Sequence, residues 1–113
     1  MRKKKGGVRV QDRQSAGVNR DTVTVQIEGE LDHCSAERVR ASLDALIEDA
    51  RVKRLVIDLG RLTFMDSSGI GVIIGRYRTL SRRSGSVAVR NPSPQVDRLL
   101  QMSGLYQIVE KCR

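Results

Sequence analysis

The sequence has few aromatic residues and lacks the long apolar runs of a membrane protein. It contains no Trp, one Phe and two Tyr in 113 residues, so the core of a single domain has to be built from aliphatic side chains. No apolar run approaches the roughly 18 residues that span a bilayer, which argues against a transmembrane helix. The basic N-terminus is not followed by an apolar segment, so we expect no secretion signal and a cytoplasmic location.

Histidine and cysteine are also scarce, and their positions argue against a metal centre. Four neighbouring residues have metal-ligating side chains: Glu30, Asp32, His33 and Cys34. Side chains so close in sequence do not easily converge on one ion, and no second cluster accompanies them. The other cysteine, Cys112, is far away in the chain. We therefore expect two reduced thiols and no metal or other cofactor.

The positive charge of the chain is concentrated near its N-terminus. The formal net charge is +8, and before residue 21 seven basic residues stand against one acid, Asp12. A basic segment can contact nucleic acid or an anionic membrane, but no aromatic side chains are interleaved here for stacking on bases. We predict that residues 1–7 form a flexible basic arm on a domain of residues 8–113, with neither nucleic acid nor membrane as a partner.

The hydrophobic pattern predicts strands that alternate with helices. Residues 22–28 place Val23, Val25 and Ile27 on one face, which is typical of a half-buried strand, and Gly29 is expected to end it. Further strands are predicted at residues 8–10, 55–59, 87–89 and 106–109. Helices are predicted at residues 36–50, at 68–83 and from Pro94, with Ser35 and Ser93 as N-caps. The order β-β-α-β-α-β-α-β predicts an α/β domain with a mixed sheet of four to five strands and helices packed on it.

The stretch from Leu62 to Gly71 is the most informative part of the chain. Asp66, Ser67, Ser68 and Gly69 lie between an apolar segment and an apolar-striped helix. Acidic and hydroxyl side chains at such a junction accept hydrogen bonds from the unpaired N–H groups of the first helical turn. The same N–H groups and the helix dipole favour a phosphate. We therefore interpret Ser67 as a site of modification.

Enzymatic alternatives explain this stretch less well. Ser67 or Ser68 with His33 and a nearby aspartate would supply the residue types of a hydrolase triad, but the G-x-S-x-G pattern is absent. Three glycines at 69, 71 and 75 resemble a dinucleotide-binding motif, although their spacing is wrong and they lie within the predicted helix. We expect the chain not to be an enzyme.

Several segments together resemble one known family. They are residues 29–33, residues 62–77, Ser93-Pro94 and residues 102–105. This combination is similar to the anti-sigma factor antagonists, which are STAS-domain proteins, and most of all to the sporulation antagonists that act on anti-sigma F factors. The similarity extends over roughly residues 8–110, so it implies a single STAS-like domain.

The resemblance also implies a mechanism, known as partner switching. The unphosphorylated antagonist binds an anti-sigma factor that is also a serine kinase. This binding releases the sigma factor, which the antagonist itself does not contact. Phosphorylation at the position of Ser67 ends the interaction, and a PP2C-type phosphatase restores the first form. The implied partner-binding residues are Asp32, Asp66, Ser67, Ser68 and Gly69, and the expected state is a monomer.

Two other functions stay open at this stage. One is a STAS-domain regulator of a different partner, such as a stress-signalling complex or a transporter. The other is a small basic protein that binds nucleic acid through its N-terminal segment.

Overall fold

The longest strand in the described residues is β2 (Thr22–Leu31), which pairs with three other strands of the sheet. The computed structural model describes residues 7–12 and 21–112. Along the chain, the elements are β1 (Val8–Asp12), β2, α1 (Ala36–Leu46), β3 (Arg54–Asp58), β4 (Leu62–Met65), α2 (Ser67–Ser81), β5 (Ser86–Arg90), α3 (Pro94–Met102), a 3₁₀ turn (Leu105–Gln107) and β6 (Glu110–Cys112). Of the predicted arm, residues 1–6 lie outside the described part of the chain.

The sheet is mixed, with one antiparallel and four parallel strand pairs in the described residues. Its order is β1-β2-β3-β5-β6, and β4 pairs with β2 outside this sequence of neighbours. Only β1 runs antiparallel to its neighbour. β3 pairs with Thr22–Gln26 at the start of β2, whereas β4 pairs with Gly29–Leu31 at its end. The carboxyl ends of β2 and β4 therefore lie next to each other.

An aliphatic core lies between the sheet and the helices, as the composition predicts. Val23, Val25 and Ile27 are buried on one face of β2, which confirms the alternation in the sequence. Leu43 of α1 and Ile73 of α2 belong to the same buried cluster. Burial of an aliphatic side chain of this size contributes about 1.5–3 kcal/mol, so this cluster supplies most of the stabilisation.

The predicted α/β domain, with three helices packed on a mixed sheet, is confirmed. The sheet has six strands because Leu62–Met65 forms the additional short strand β4. Its two ends are buried and its two middle residues are exposed, so it lacks the alternation that identifies a strand in a sequence. β2 also continues past Gly29 to Leu31, with a shift of register between Gly29 and Glu30.

The prediction of a strand at residues 106–109 was wrong. This segment begins within the 3₁₀ turn, and the last strand follows at Glu110–Cys112. The Tyr106 hydroxyl donates a hydrogen bond of 2.5 Å to Asp97 Oδ1 on α3, and Lys111 Nζ lies 3.0 Å from the same oxygen. These contacts link the turn and β6 to α3, and the strand begins a few residues later than predicted.

Candidate functional site

The candidate site lies where β2 and β4 end side by side. Leu31 and Met65 are partners in the parallel ladder, and Asp32 and Asp66 are the residues that follow them. The Asp66 N–H donates a hydrogen bond of 3.2 Å to the Leu31 carbonyl oxygen. The register of two strands thus places the loop after β2 beside the start of α2, and it brings the two predicted acidic residues to the same edge of the sheet.

Asp66 is the N-cap of α2. Its backbone is extended, with φ −117° and ψ −169°, and its Oδ1 accepts a hydrogen bond of 2.8 Å from the Ser68 N–H. The Asp66 carbonyl oxygen accepts a further bond of 2.9 Å from the Gly69 N–H. The start of the helix is therefore capped by the aspartate, and Ser68 takes part through its backbone N–H.

Ser67 is the first residue of α2, and its side chain is exposed. Its hydroxyl forms no hydrogen bond with any residue of the described ranges 7–12 and 21–112. It lies at the positive end of the helix dipole, where the first-turn N–H groups favour an anion. The oxygen of Ser67 is thus open to an approaching protein and well placed to carry negative charge.

Asp32 organises the loop that follows β2, next to the start of α2. Its Oδ1 accepts hydrogen bonds from the Cys34 N–H at 2.9 Å and from the Ser35 N–H at 3.1 Å. Partial desolvation raises the pKa of the Asp32 carboxyl, but the hydrogen bonds from Ser35 and Cys34 outweigh it and leave the pKa below its ordinary value. Asp32 is therefore an anion held in a defined position.

Ser35 is the N-cap residue of α1, as predicted, but its side chain makes no capping bond. Its backbone is in a helical conformation and not in the extended one usual for an N-cap. Its hydroxyl instead donates a bond of 2.8 Å to the Glu30 carbonyl oxygen and accepts one of 3.0 Å from the Asp32 N–H. Asp32 already accepts hydrogen bonds from the N–H groups that precede α1, so the Ser35 hydroxyl bonds to other residues of the loop.

Gly69 allows α2 to begin close to the strands. The residue is buried, and a Cβ at this position would lie 2.5 Å from Met65 Cγ and 3.0 Å from Leu31 Cγ. Real Cβ atoms do not approach other carbons so closely, so with any larger residue the Met65 and Leu31 side chains or the helix itself would have to shift. The position of Ser67 relative to Asp32 depends on this contact.

Phe64 is a residue of this region that the sequence alone did not single out. It is the only Phe of the chain, it lies on β4, and 48% of its surface is exposed. Hydrophobicity gave no indication of this exposure, since a Phe beside a buried Met is ordinarily a core residue. Its orientation depends on a pairing with β2 that the local sequence does not reveal.

The structure gives the enzymatic alternatives little support. No hydrogen bond connects His33 to Ser67 or Ser68; the nearest polar contact of its ring is Cys34 Sγ, 3.7 Å from Nε2. Gly69, Gly71 and Gly75 lie within α2 and not in a loop before it. Across residues 7–12 and 21–112, no group of three or more His, Cys, Asp or Glu side chains could hold a metal ion.

Comparison with known proteins agrees with this arrangement. The family model described as STAS domain matches residues 13–113. The chain belongs to the STAS-domain family. This STAS domain is 43% identical over 91 residues to the anti-sigma F factor antagonist of Paenibacillus polymyxa, an alignment that covers 80% of the chain and 78% of the relative. The family resemblance inferred from the residues is thereby confirmed.

Two solved structures of the antagonist SpoIIAA have the same fold. The unphosphorylated form is 36% identical to this STAS domain, with a TM-score of 0.77 over 93% of the chain and 89% of SpoIIAA. The phosphorylated form, from Bacillus, is 35% identical, with a TM-score of 0.70 over 93% and 92% of the two chains. The relative and the two SpoIIAA structures are thus named as anti-sigma factor antagonists or as a cell fate determinant, and none of them is named as an enzyme. No helix within residues 7–12 and 21–112 is long and apolar enough to cross a membrane.

Proposed function

We propose that this STAS domain is an anti-sigma factor antagonist of the sporulation type and that Ser67 is its phosphorylated residue. In its unphosphorylated form it binds an anti-sigma factor that is also a serine kinase, and the sigma factor is released. Phosphorylation of Ser67 by that kinase ends the interaction, and a PP2C-type phosphatase reverses it. The observation that carries the proposal is the exposed, unbonded Ser67 hydroxyl at the start of α2.

The proposed binding surface consists of Asp32 with residues 66–69. Asp32 is an anion fixed by its own loop, and Asp66 and Ser67 form the start of α2. The half-buried Ser68 and the buried Gly69 contribute by shaping this end of the helix. The domain acts as a cytoplasmic monomer in this proposal, without contacting the sigma factor, nucleic acid or a membrane.

A phosphate on Ser67 would change binding far more than folding. It adds about 1.5 to 2 negative charges at neutral pH. With Asp66 about 6 Å away and an effective dielectric constant of about 20, each added charge is opposed by roughly 3 kcal/mol, and less where water screens it. Because Asp66 and Ser67 are adjacent in sequence, most of this repulsion is present in the unfolded chain as well, and the helix start returns about 0.3–1 kcal/mol, so the domain stays folded.

The effect on an interface is larger because a partner in contact with Ser67 would have to remove water from a dianion. A loss of about 3 kcal/mol weakens binding more than a hundredfold. The proposed switch therefore works through charge at a contact surface and needs little change of shape.

The test is titration calorimetry of Ser67 variants against the anti-sigma kinase of the same bacterium. We expect Ser67→Ala to bind at least as tightly as the unmodified chain, and Ser67→Asp to bind at least a hundredfold more weakly. Ser68→Ala is the matched control, with a dissociation constant close to that of the unmodified chain. Equal affinities of Ser67→Ala and Ser67→Asp would refute the proposal, as would mass spectrometry that places the kinase-transferred phosphate on Ser68.

A further inference from the structure

The sheet exposes its only phenylalanine by means of an irregularity in the pairing of β2 with β4. Gly29 is opposite Leu62 but Glu30 is opposite Phe64, so Thr63 is an extra residue in β4. Such a bulge reverses the alternation of the residues that follow it. Leu62 and Met65 are consequently buried, whereas Thr63 and Phe64 both face outward. Without the bulge, Phe64 would lie on the same face as the buried Leu62.

The bulge is held by specific bonds. Gly29 has φ +105°, and a Cβ at this position would lie 1.9 Å from the Gly7 carbonyl oxygen, so only glycine fits. The Thr63 hydroxyl donates a bond of 3.0 Å to the Gly29 carbonyl oxygen, and the Glu30 N–H donates one of 2.9 Å to the Gly7 carbonyl oxygen. The outward position of Phe64 is therefore built into the sheet.

Phe64 lines an open groove of about 350 Å³ between β4 and the start of α3. The other residues of the groove are Thr63, Met65, Gln95 and Val96. Its volume is at the lower end of what small-molecule pockets require, and its open side would leave much of such a ligand in water. The groove is better suited to one or two side chains of another protein.

We propose that Phe64 and this groove receive an apolar side chain of the anti-sigma partner, as an anchor beside the Ser67 contact. The inference rests on the proposed function, and the groove adjoins that surface along the chain: Met65, which lines the groove, directly precedes the N-cap Asp66. Aromatic side chains that fill a partly enclosed groove commonly carry a large share of the binding energy of an interface.

A second copy of the chain is a poorer occupant. A Phe side chain covers at most about 150–250 Å², while a stable dimer buries about 800 Å² on each partner. In a symmetric pair, the acidic residues around the groove would also face their own copies, which is unfavourable. These residues are Glu30, which is paired with Phe64 between β2 and β4, and Asp66, which directly follows β4.

The experiment compares Phe64→Ser with Met102→Ser in calorimetric titrations against the same anti-sigma kinase. Met102 is the matched control because it is 79% exposed and lies at the far end of α3. We expect Phe64→Ser to raise the dissociation constant at least thirtyfold, Phe64→Leu to raise it less, and Met102→Ser to change it less than twofold. For phosphorylation of Ser67, Phe64→Ser should raise KM and leave kcat nearly unchanged.

A second variant tests the groove without removing Phe64. Gln95 lines the groove and is exposed, so the Trp side chain of Gln95→Trp should fill the groove. We expect this variant to bind the kinase at least tenfold more weakly, while its thermal unfolding midpoint stays within a few degrees of that of the unmodified chain. The inference is overturned if Phe64→Ser and Gln95→Trp bind like the unmodified chain while Ser67→Asp does not. If Ser67→Asp also binds normally, the proposed function has failed. A dimer that Phe64→Ser dissociates in sedimentation analysis would identify a second copy as the occupant and overturn the inference.

Discussion

Gly69 packs so closely against Met65 that a Cβ at position 69 would lie 2.5 Å from the Met65 Cγ. This contact joins the first turn of α2 to the end of β4. Both the cap at Asp66 and the exposed hydroxyl of Ser67 precede Gly69 in the same turn. The geometry of the surface proposed to bind the partner therefore depends on the absence of a single methyl group in the core.

Gly69→Ala should lower the free energy of unfolding by about 1–2 kcal/mol. Overpacking costs about 1–3 kcal/mol, and the better helix propensity of Ala returns up to about 1 kcal/mol. Gly71→Ala is the matched control, since a Cβ at position 71 would have no neighbouring atom within 4 Å and the substitution should stabilise the helix by about 0.5–1 kcal/mol. Urea unfolding of both variants checks this, and a gain in stability for Gly69→Ala would contradict the packing described.

Asp66→Ala should lower the free energy of unfolding by about 1 kcal/mol, because the Ser68 N–H loses its acceptor. Asp66→Asn should lose much less, since Asn caps helices nearly as well. Ser93→Ala provides a control at the cap of α3, where Ser93 Oγ accepts from the Val96 N–H at 3.2 Å, with a loss of similar size. Equal stability of Asp66→Ala and the unmodified chain in chemical denaturation would show that the cap is not needed.

Arg76 of α2 is a buried cation with an incomplete set of partners. Its Nε lies 3.0 Å from Asp44 Oδ1, yet Nε and Nη1 are buried and make no hydrogen bond with a described residue. Burial lowers the pKa of the Arg76 guanidinium, and Asp44 partly offsets the effect. Arg76→Met should therefore leave the free energy of unfolding unchanged or raise it.

Asp44→Ala should instead lower the free energy of unfolding by about 1–2 kcal/mol, because it leaves the buried Arg76 charge without an opposite charge. The expected loss is below that of a fully buried pair because the Asp44 side chain is 42% exposed. In the double variant Asp44→Ala, Arg76→Met, the loss should largely disappear. Thermal and urea unfolding of the four proteins give the coupling energy, and additive effects would argue against the pair.

Acid stability should depend on the contact between Tyr106 and Asp97. The hydrogen bond from the Tyr106 hydroxyl and the Lys111 ammonium lower the pKa of the Asp97 carboxyl. Because this pKa is lower in the folded than in the unfolded chain, its contribution is present above about pH 4 and is lost as the pH falls through the folded-state value. Tyr106→Phe should thus make the decline of stability below about pH 4 less steep.

Urea unfolding measured from about pH 2.5 to pH 6 checks this expectation. Tyr77→Phe is the control, since Tyr77 is also partly buried against the core but has no hydroxyl contact with Asp97. A slope for Tyr106→Phe equal to that of the control would show that the lowered pKa has another origin.

Local patterns in the sequence predicted those parts of the fold that local interactions determine. The alternation of Val23, Val25 and Ile27 indicated a half-buried strand, and this was confirmed because one face of β2 meets the core. The pair Ser93-Pro94 indicated the start of α3, where the Ser93 hydroxyl accepts the expected bond. The junction at residues 66–69 was recognised for the same reason, since capping involves residues only two or three positions apart.

The features that the sequence did not predict depend on contacts between distant segments. The strand β4 is stabilised by its pairing with Gly29–Leu31, and its irregular register removes the alternation that would reveal it. Ser35 is the N-cap residue of α1, as expected, but the fold of the loop directs its hydroxyl to the Glu30 carbonyl oxygen and not to the first helical turn. The orientation of Phe64 follows from the same register shift, so hydrophobicity alone assigned it no special role.

The edge strand β1 has a consequence beyond its own small contribution to the sheet. The carbonyl oxygen of Gly7, just before β1, accepts a hydrogen bond from the Glu30 N–H. It also lies so close to Gly29 that residue 29 cannot carry a side chain. Detachment of β1 would remove this acceptor from Glu30, the residue of β2 that is paired with Phe64. The amino-terminal edge of the domain is thereby joined, through one residue of β2, to the position that carries an exposed aromatic ring.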